Sequence, residues 1–334
     1  MLRRWGGVKM GWLQAVSYAG LVYAVFGYCN RYYLHWIDNV WLSGWSIEIV
    51  IVVFGVWVVA VEKLRYVKIR LAVLTFLVAT WWLLVPMLTR SNFLDFHVIG
   101  SIAFFAYLIV IFLFGRRADC GWNCPCVGIR DTVGDAFRRN TPRGEKLWKF
   151  RHVKWISLAL ILGYLVLVAL RAFHLEPPWW WTYMNTFNVV TLGIFFVTLL
   201  AMPVIGNRFW CRFLCPWGAL YGLVGTLGFY KIKADMTKCT ECGACDRICE
   251  MGIPVSSLIK KSGQIKVADC VGCGRCVSSC PTQALKFTDV RSYVKAFARK
   301  VERLFLTQVQ ECSPVPVTIR TELDQEFREQ SSGE

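Results

Sequence analysis

Residues 239–249 read Cys239-Thr240-Glu241-Cys242-Gly243-Ala244-Cys245-Asp246-Arg247-Ile248-Cys249, and residues 270–281 read Cys270-Val271-Gly272-Cys273-Gly274-Arg275-Cys276-Val277-Ser278-Ser279-Cys280-Pro281. Both runs are C-x2-C-x2-C-x3-C. That is the spacing of a ferredoxin domain with two [4Fe–4S] clusters, in which three close cysteines wrap one cube and the fourth crosses to the other. Cys239, Cys242, Cys245 and Cys280 are therefore expected at one cluster, and Cys270, Cys273, Cys276 and Cys249 at the second. Zinc and disulfides are the rival uses of eight cysteines, and the doubled spacing argues against both. Glu250 stands where a proline would follow Cys249. This departure is expected to loosen the turn without removing a ligand.

The rest of the chain sets this domain in a membrane. Of 334 residues, 56% are apolar, and the mean hydropathy is +0.44, too high for an ordinary soluble domain. Thiolate ligands among the 15 cysteines imply a reducing compartment for that part. The net charge of +16 sits beside hydrophobic segments, which points to membrane topology and away from nucleic acid. Six stretches are long enough to span a bilayer core of about 30 Å: 11–29, 45–62, 69–88, 95–115, 153–173 and 184–205. The first lacks a small-residue cleavage site and reads as a retained span.

Basic residues concentrate in the N-terminus, in the second connection (Lys63, Arg65, Lys68, Arg70) and in the fourth (among them Arg116, Arg117, Arg130, Arg138, Arg139 and Arg143). The intervening connections are nearly neutral and rich in tryptophan, as at Trp36, Trp41 and Trp179 to Trp181. Positive-inside then places both termini and the ferredoxin domain in the cytoplasm of a multi-pass protein of a bacterial inner membrane. The expected fold is an α-helical membrane protein with about six transmembrane helices, followed by a small α+β two-cluster ferredoxin domain. The expected organisation is a hairpin of two spans (1–68), a core of two further hairpins (69–230), the ferredoxin domain (231–288), an amphipathic helix (289–312) and a mobile tail (313–334). The helix pattern suits an anionic membrane surface, packing on the spans, or a solvated cover of the ferredoxin.

Two more cysteine pairs stand apart. Cys120-Gly121-Trp122-Asn123-Cys124-Pro125 and Cys211-Arg212-Phe213-Leu214-Cys215-Pro216 both read C-x3-C-P, 91 residues apart, each after a pair of spans. An internal duplication would bring Cys120, Cys124, Cys211 and Cys215 toward one site at the inner membrane edge. Three readings stay open: buried thiols that pack as small hydrophobes, a dithiol/disulfide couple, or a third metal or Fe–S centre, since four soft ligands suit iron–sulfur or copper(I). Cys126 is a fifth thiol nearby. Cys29 and Cys312 are isolated.

Paired span hairpins, two C-x3-C-P motifs and two ferredoxin runs together resemble the NapH-type polyferredoxin-like quinol dehydrogenases, over roughly residues 69–288. The membrane part of the nitrous-oxide reductase maturation protein and a copper-reducing oxidase-assembly factor share the pattern. The resemblance implies electron transfer between the quinone pool and a partner redox protein through iron–sulfur clusters, as a component of a quinol dehydrogenase. It also implies an alternative, a metal-handling assembly factor that reduces copper through its ferredoxin domain. A purely structural anchor would not need two complete ligand sets. This sequence has six stretches where the nitrate-system component has four. It shows neither a flavin domain before the spans nor a β-sandwich after the ferredoxin.

A quinol site needs an acceptor for hydroxyl protons, and ionisable groups at membrane depth are candidates by default. Asp95, His97, Glu48 and His174, with Glu176, form the outer-end set. His152 reads as solvated. A haem held by two of these histidines is disfavoured, because no pair sits at matched mid-membrane depth. Electrons released at the outer end would face about 30 Å of hydrocarbon before reaching the inner clusters. There is no G-x-G-x-x-G after a strand and no P-loop, which argues against nicotinamide chemistry by this chain.

Overall fold

The computed structural model describes residues 4–5, 8–37, 39–42, 45–85, 106–115, 117–172 and 177–312. Asp95, His97, His174, Glu176 and the tail 313–334 lie outside the described residues. After a short ribbon, β1 (Arg4–Trp5) and β2 (Val8–Lys9), helix α1 runs over Met10–Cys29. It passes into a π-helical turn at Asn30–Leu34. The buried Asn30 side chain organises the loop beyond. It accepts from the Trp36 and Ile37 amides and donates to the Ile37 and Leu42 carbonyls.

Helix α2 spans Ser46–Val61 and α3 spans Arg65–Leu77, the latter continuing as a π-helical stretch over Val78–Leu84. Residues 106–113 are helical and form α4. Then come two short helices, α5 (Ala118–Trp122) and α6 (Pro125–Asp131), and the long α7 (Lys154–Ala172) and α8 (Trp180–Leu200). Among the described residues, three helical segments are long and apolar enough to cross a bilayer: Arg65–Leu84, Leu147–Arg171 and Trp180–Leu200. Helix α2 is apolar, but its 16 residues rise only about 24 Å. The first half of the expected fourth span lies outside the described residues.

Helices α9 (Phe209–Phe213) and α10 (Pro216–Leu227) lead into a three-stranded antiparallel sheet of order β4-β3-β5: β3 (Lys231–Ala234), β4 (Gln264–Ile265) and β5 (Leu285–Thr288). Three short helices fill the connections, α11 (Ala244–Ile248), α12 (Val255–Ser262) and α13 (Arg275–Ser278). The final helix α14 (Val290–Cys312) belongs to a second compact unit that begins at Val290. Its Val294, Phe297 and Val301 are exposed.

Two features depart from the sequence reading. The first C-x3-C-P segment does not sit past the end of the helices. Arg70, early in α3, donates to the Gly121 carbonyl at 3.0 Å, while Trp82, near the end of the π stretch, donates to Asn123 at 3.4 Å. The segment therefore lies alongside the middle of a 20-residue helical rod.

Second, Arg70, Arg117 and Arg130, which the positive-inside pattern counts as inner-face charges, are fully buried, as is Arg208. Arg70 and Arg208 belong to a network with Asp131, Asp135, Glu62, Glu250, Arg138 and Arg275. Four arginines meet four carboxylates, so the network is neutral. Buried charge persists only when paired in this way.

Candidate functional site

The ferredoxin loops explain themselves residue by residue. In the first run Glu241 (φ 52°) and Gly243 (φ 65°) take left-handed backbone; in the second, Gly272 (φ 69°) and Gly274 (φ 77°) do so at the same places. Alternation of left- and right-handed residues turns successive amides inward and makes a concavity that suits an anionic iron–sulfur group. Gly274 is further constrained, because a side chain there would run into the Tyr66 ring of α3.

The eight thiols gather as two sets of four. Cys239, Cys242, Cys245 and Cys280 all line one cavity, closed by Ile259, Ala284 and Leu285. Burial opposes ionisation of Cys280, but the Thr282 hydroxyl and the backbone amides of Ala284, Thr282 and Leu285 outweigh it and lower that thiol's pKa. Such hydrogen bonds to sulfur tune cluster potentials. In the second set, burial raises Cys276 well above the ordinary thiol range, and the neighbouring Cys273, Cys270 and Cys249 raise it further. Cys249 is pushed up to about 12, first by burial and then by Cys273. Buried thiols packed this closely stay protonated unless a cation compensates, and a metal does so outright. Cys280 thus lies with Cys239, Cys242 and Cys245, and Cys249 with Cys270, Cys273 and Cys276.

Prediction from this geometry is direct. Cys242→Ala should remove the cluster of its own set, as should Cys273→Ala, and each should destabilise the other cluster because the sets interleave. The intact ferredoxin part should hold about eight irons and eight sulfides. Iron, sulfide and EPR analysis of anaerobically prepared protein checks this, and zinc in place of iron would contradict it.

Glu250, which the sequence reading took as a loosening of the turn, is clamped. It is 2% exposed. It pairs with Arg275 at 2.7 Å, Arg208 at 3.3 Å and Arg138 at 3.8 Å. Burial would raise its carboxyl, but Arg275, Arg208 and Arg138 together hold it down at about 2. Arg275, between Cys273 and Cys276, also reaches Glu62 at 2.8 Å and Asp135 at 3.1 Å. Lys154 of α7 pairs with Asp269 at 2.5 Å, just before Cys270. The Cys249/Cys270 side of the ferredoxin is thus tied by charge to the helical core.

The two C-x3-C-P motifs share one backbone design. In each, a five-residue helix carries the first cysteine, and a break at Asn123 or Leu214 follows. The second cysteine then sits at an N-cap in extended backbone with proline in the first turn of the next helix. The Cys124 amide bonds the Asp119 carbonyl at 3.0 Å and the Cys215 amide bonds the Trp210 carbonyl at 2.9 Å, the same bond in each copy. Proline lacks the N–H that a helix start leaves unpaired anyway, so it begins the new helix there.

The structure brings the copies together. Cys120 lies within electrostatic reach of Cys124 and Cys215, and Cys215 within reach of Cys211 and Cys124. Burial first, then Cys211, pushes Cys215 up to about 12, against a hydrogen bond from the Gly218 amide at 3.2 Å. Arg117 donates across the repeat to the Cys211 carbonyl at 3.1 Å. Arg130 holds the Asn207 carbonyl and the Thr198 hydroxyl, with Cys211, Cys126, Arg208 and Cys215 as its electrostatic neighbours. Arg117 and Arg130 form no ion pair with a carboxylate among the described residues. Two buried cations without acids therefore face these thiols.

The sequence reading missed these arginines, yet the signal was present. Arg117 precedes Cys120 by three residues and Arg208 precedes Cys211 by three, so the repeat is R-x2-C-x3-C-P. Among the described residues, no three His, Cys, Asp or Glu side chains converge closely enough to hold one metal ion. Of the outer-end set only Glu48 is described. Its Oε2 is buried without a hydrogen-bond partner, near Tyr28 and Tyr32, whose rings are 4.5 Å apart.

Comparison with known proteins agrees with both halves. Residues 238–285 match the 4Fe-4S dicluster domain model. A second model, described as a 4Fe-4S binding domain, matches twice, at 96–144 and 187–233. The two matches start 91 residues apart, the interval between the C-x3-C-P motifs. The ferredoxin-type protein NapH of Escherichia coli is 27% identical over 214 residues, covering 61% of this chain and 74% of that protein.

The chain is similar to the NapH-type polyferredoxins.

Other similar proteins include the putative electron transport protein YccM of Escherichia coli, 28% identical over 202 residues. The methylamine utilization ferredoxin-type protein MauN of Methylorubrum extorquens is 30% identical over 205 residues, 55% of this chain and 66% of that protein. The YccM match spans 55% of this chain and about half, 54%, of YccM. No solved structure matches. The two model matches cover the doubled motif region and the dicluster domain.

Proposed function

We propose that this protein is a membrane iron–sulfur electron-transfer subunit that takes electrons from quinol and delivers them to a partner redox protein, as part of a quinol dehydrogenase in the bacterial inner membrane. The observation that carries this reading is the alignment of three thiol sets. Gly121, inside the first C-x3-C-P motif, packs against the Val271 carbonyl of the Cys270–Cys273 loop, so that a Cβ there would sit 3.3 Å from that oxygen. Cys276 of that run has Cys245 of the other set as an electrostatic neighbour, and in the Cys239/Cys242/Cys245/Cys280 cavity Cys242 is exposed. The ligand sets thus run from a site flanked by apolar helices to the surface.

Cys120, Cys124, Cys211 and Cys215 would hold a third iron–sulfur centre. Such a centre with four thiolates is an anion, and Arg117 and Arg130 supply the compensating charge. When bound, the clusters supply one-electron chemistry. The chain supplies ligands, fixed spacing and exclusion of water. The mid-helix position of the first motif removes most of the gap that outer-end quinol oxidation would impose. The rival reading, copper handling, draws on the same four soft thiols. The repeated match to an iron–sulfur model over both motifs favours iron.

The test is reduction of the clusters by quinol in lipid nanodiscs, followed by EPR. Quinol-reducible clusters in copper-free protein support the proposal, and stoichiometric copper with quinol-inert clusters would sink it. Topology has its own check. Reporter fusions after Lys68, Arg143 and Glu334 should report cytoplasm, and fusions after Asn39, Ser91 and Pro178 the periplasm. A periplasmic signal at Glu334 would reverse the electron route.

A further inference from the structure

Around the first motif lies a polar cluster that thiol ligation does not use. Asn123, 7% exposed, stands at its centre. It donates to Asp119 Oδ1 at 3.2 Å, accepts from Trp82 Nε1 at 3.4 Å, and is hydrogen-bonded to the Tyr107 hydroxyl. Three separate segments of the helical part meet here: the π-helical end of α3, helix α4 and the motif itself. Asp119 is half-buried and forms no ion pair among the described residues. Next to the cluster, Trp81, Leu84, Ile109 and Val110 are exposed apolar side chains, a surface suited to lipid. A π-helical stretch inside a helix often marks a functional site.

A carboxylate whose one side-chain partner among the described residues is an amide, between two aromatic side chains and beside a lipid-facing surface, is a costly arrangement to keep without a ligand. A flat aromatic ring carrying hydroxyl donors satisfies every part of it. We propose that Asp119, Asn123, Tyr107 and Trp82 bind the headgroup of a lipid-soluble hydroquinone. Asp119 accepts a ring hydroxyl, and Trp82 and Tyr107 flank the ring. Asp119 and Asn123 directly precede Cys120 and Cys124 in the chain, so the bound ring lies next to the proposed thiol centre. The inference rests on the quinol reading above. It moves the site from the outer-end residues to the motif.

The experiment uses the full chain with its clusters in nanodiscs, titrated with a short-chain benzohydroquinone. Binding is read from quenching of tryptophan emission, separately from cluster reduction. Asp119→Asn should weaken binding about ten- to a hundred-fold, the loss of one hydrogen bond to a charged acceptor, with iron content and dithionite reduction unchanged. Should Asp119→Asn lose iron, Trp82→Leu, which leaves the motif intact, must show the weakening. Wild-type affinity in both variants overturns the proposal. So does a loss confined to Glu48→Gln, which would put the ring at the outer end. If binding is sensitive to Asp119 but quinol leaves the wild-type clusters oxidised, the binding site stands and the electron-donor reading fails.

Discussion

Changing any one of Cys120, Cys124, Cys211 or Cys215 to Ser is expected to remove about four irons per chain and to stop quinol from reducing the ferredoxin clusters. Dithionite should still reduce them. The four positions should give similar losses, because four ligands to one centre act as a unit. The structure sharpens this expectation. The thiols come from two helix breaks of identical design, and Arg117 from one copy anchors the Cys211 carbonyl of the other. A merely relict repeat would not need buried cations without acids beside it. Arg117→Met supplies an independent arm. It should cost the third centre while leaving the eight ferredoxin cysteines loaded. Iron and sulfide analysis with redox-poised EPR reads both. Four single mutants with normal iron and normal quinol-driven reduction would reduce these cysteines to packing residues.

The second large effect concerns the charge network. Glu250→Gln should destabilise the docking of the ferredoxin domain by about 3–5 kcal/mol, the usual cost of leaving buried partners unpaired. Arg208 and Arg275 would then keep positive charge in a buried setting with one acid fewer. Hydrogen exchange over residues 231–288 should rise, and the EPR signal of the Cys249/Cys270/Cys273/Cys276 cluster should broaden or disappear. Pairing Glu250→Gln with Arg208→Met should restore part of the loss, since the second change removes the stranded charge. If Glu250→Gln leaves exchange and EPR unchanged, the network is not what fixes the domain.

Much of this protein is legible in its sequence, for a physical reason. Cluster ligation is local: three cysteines within seven residues must wrap one cube, so spacing alone assigned Cys239, Cys242, Cys245 and their counterparts. The crossing of Cys249 and Cys280 followed from the same reach argument. The repeat of C-x3-C-P, and with it the pairing of residues 91 apart, was readable as well. Apolar length gave the membrane character, although the described helices that can cross by length and composition number three.

Only the tertiary structure decided what depends on distant partners. Arg70, Arg117 and Arg130 read only as inner-face charges because a sequence shows charge but not what faces it. In the fold, Asp131, the Cys211 carbonyl and the Asn207 carbonyl meet them across tens of residues. Glu250 looked like a flaw in a ligand run and is instead the acid where three arginines converge. The depth of the first motif beside α3, set by Arg70 and Trp82 at its two ends, was equally invisible. A one-dimensional reading places a motif after a helix, whereas packing can fold it back along that helix.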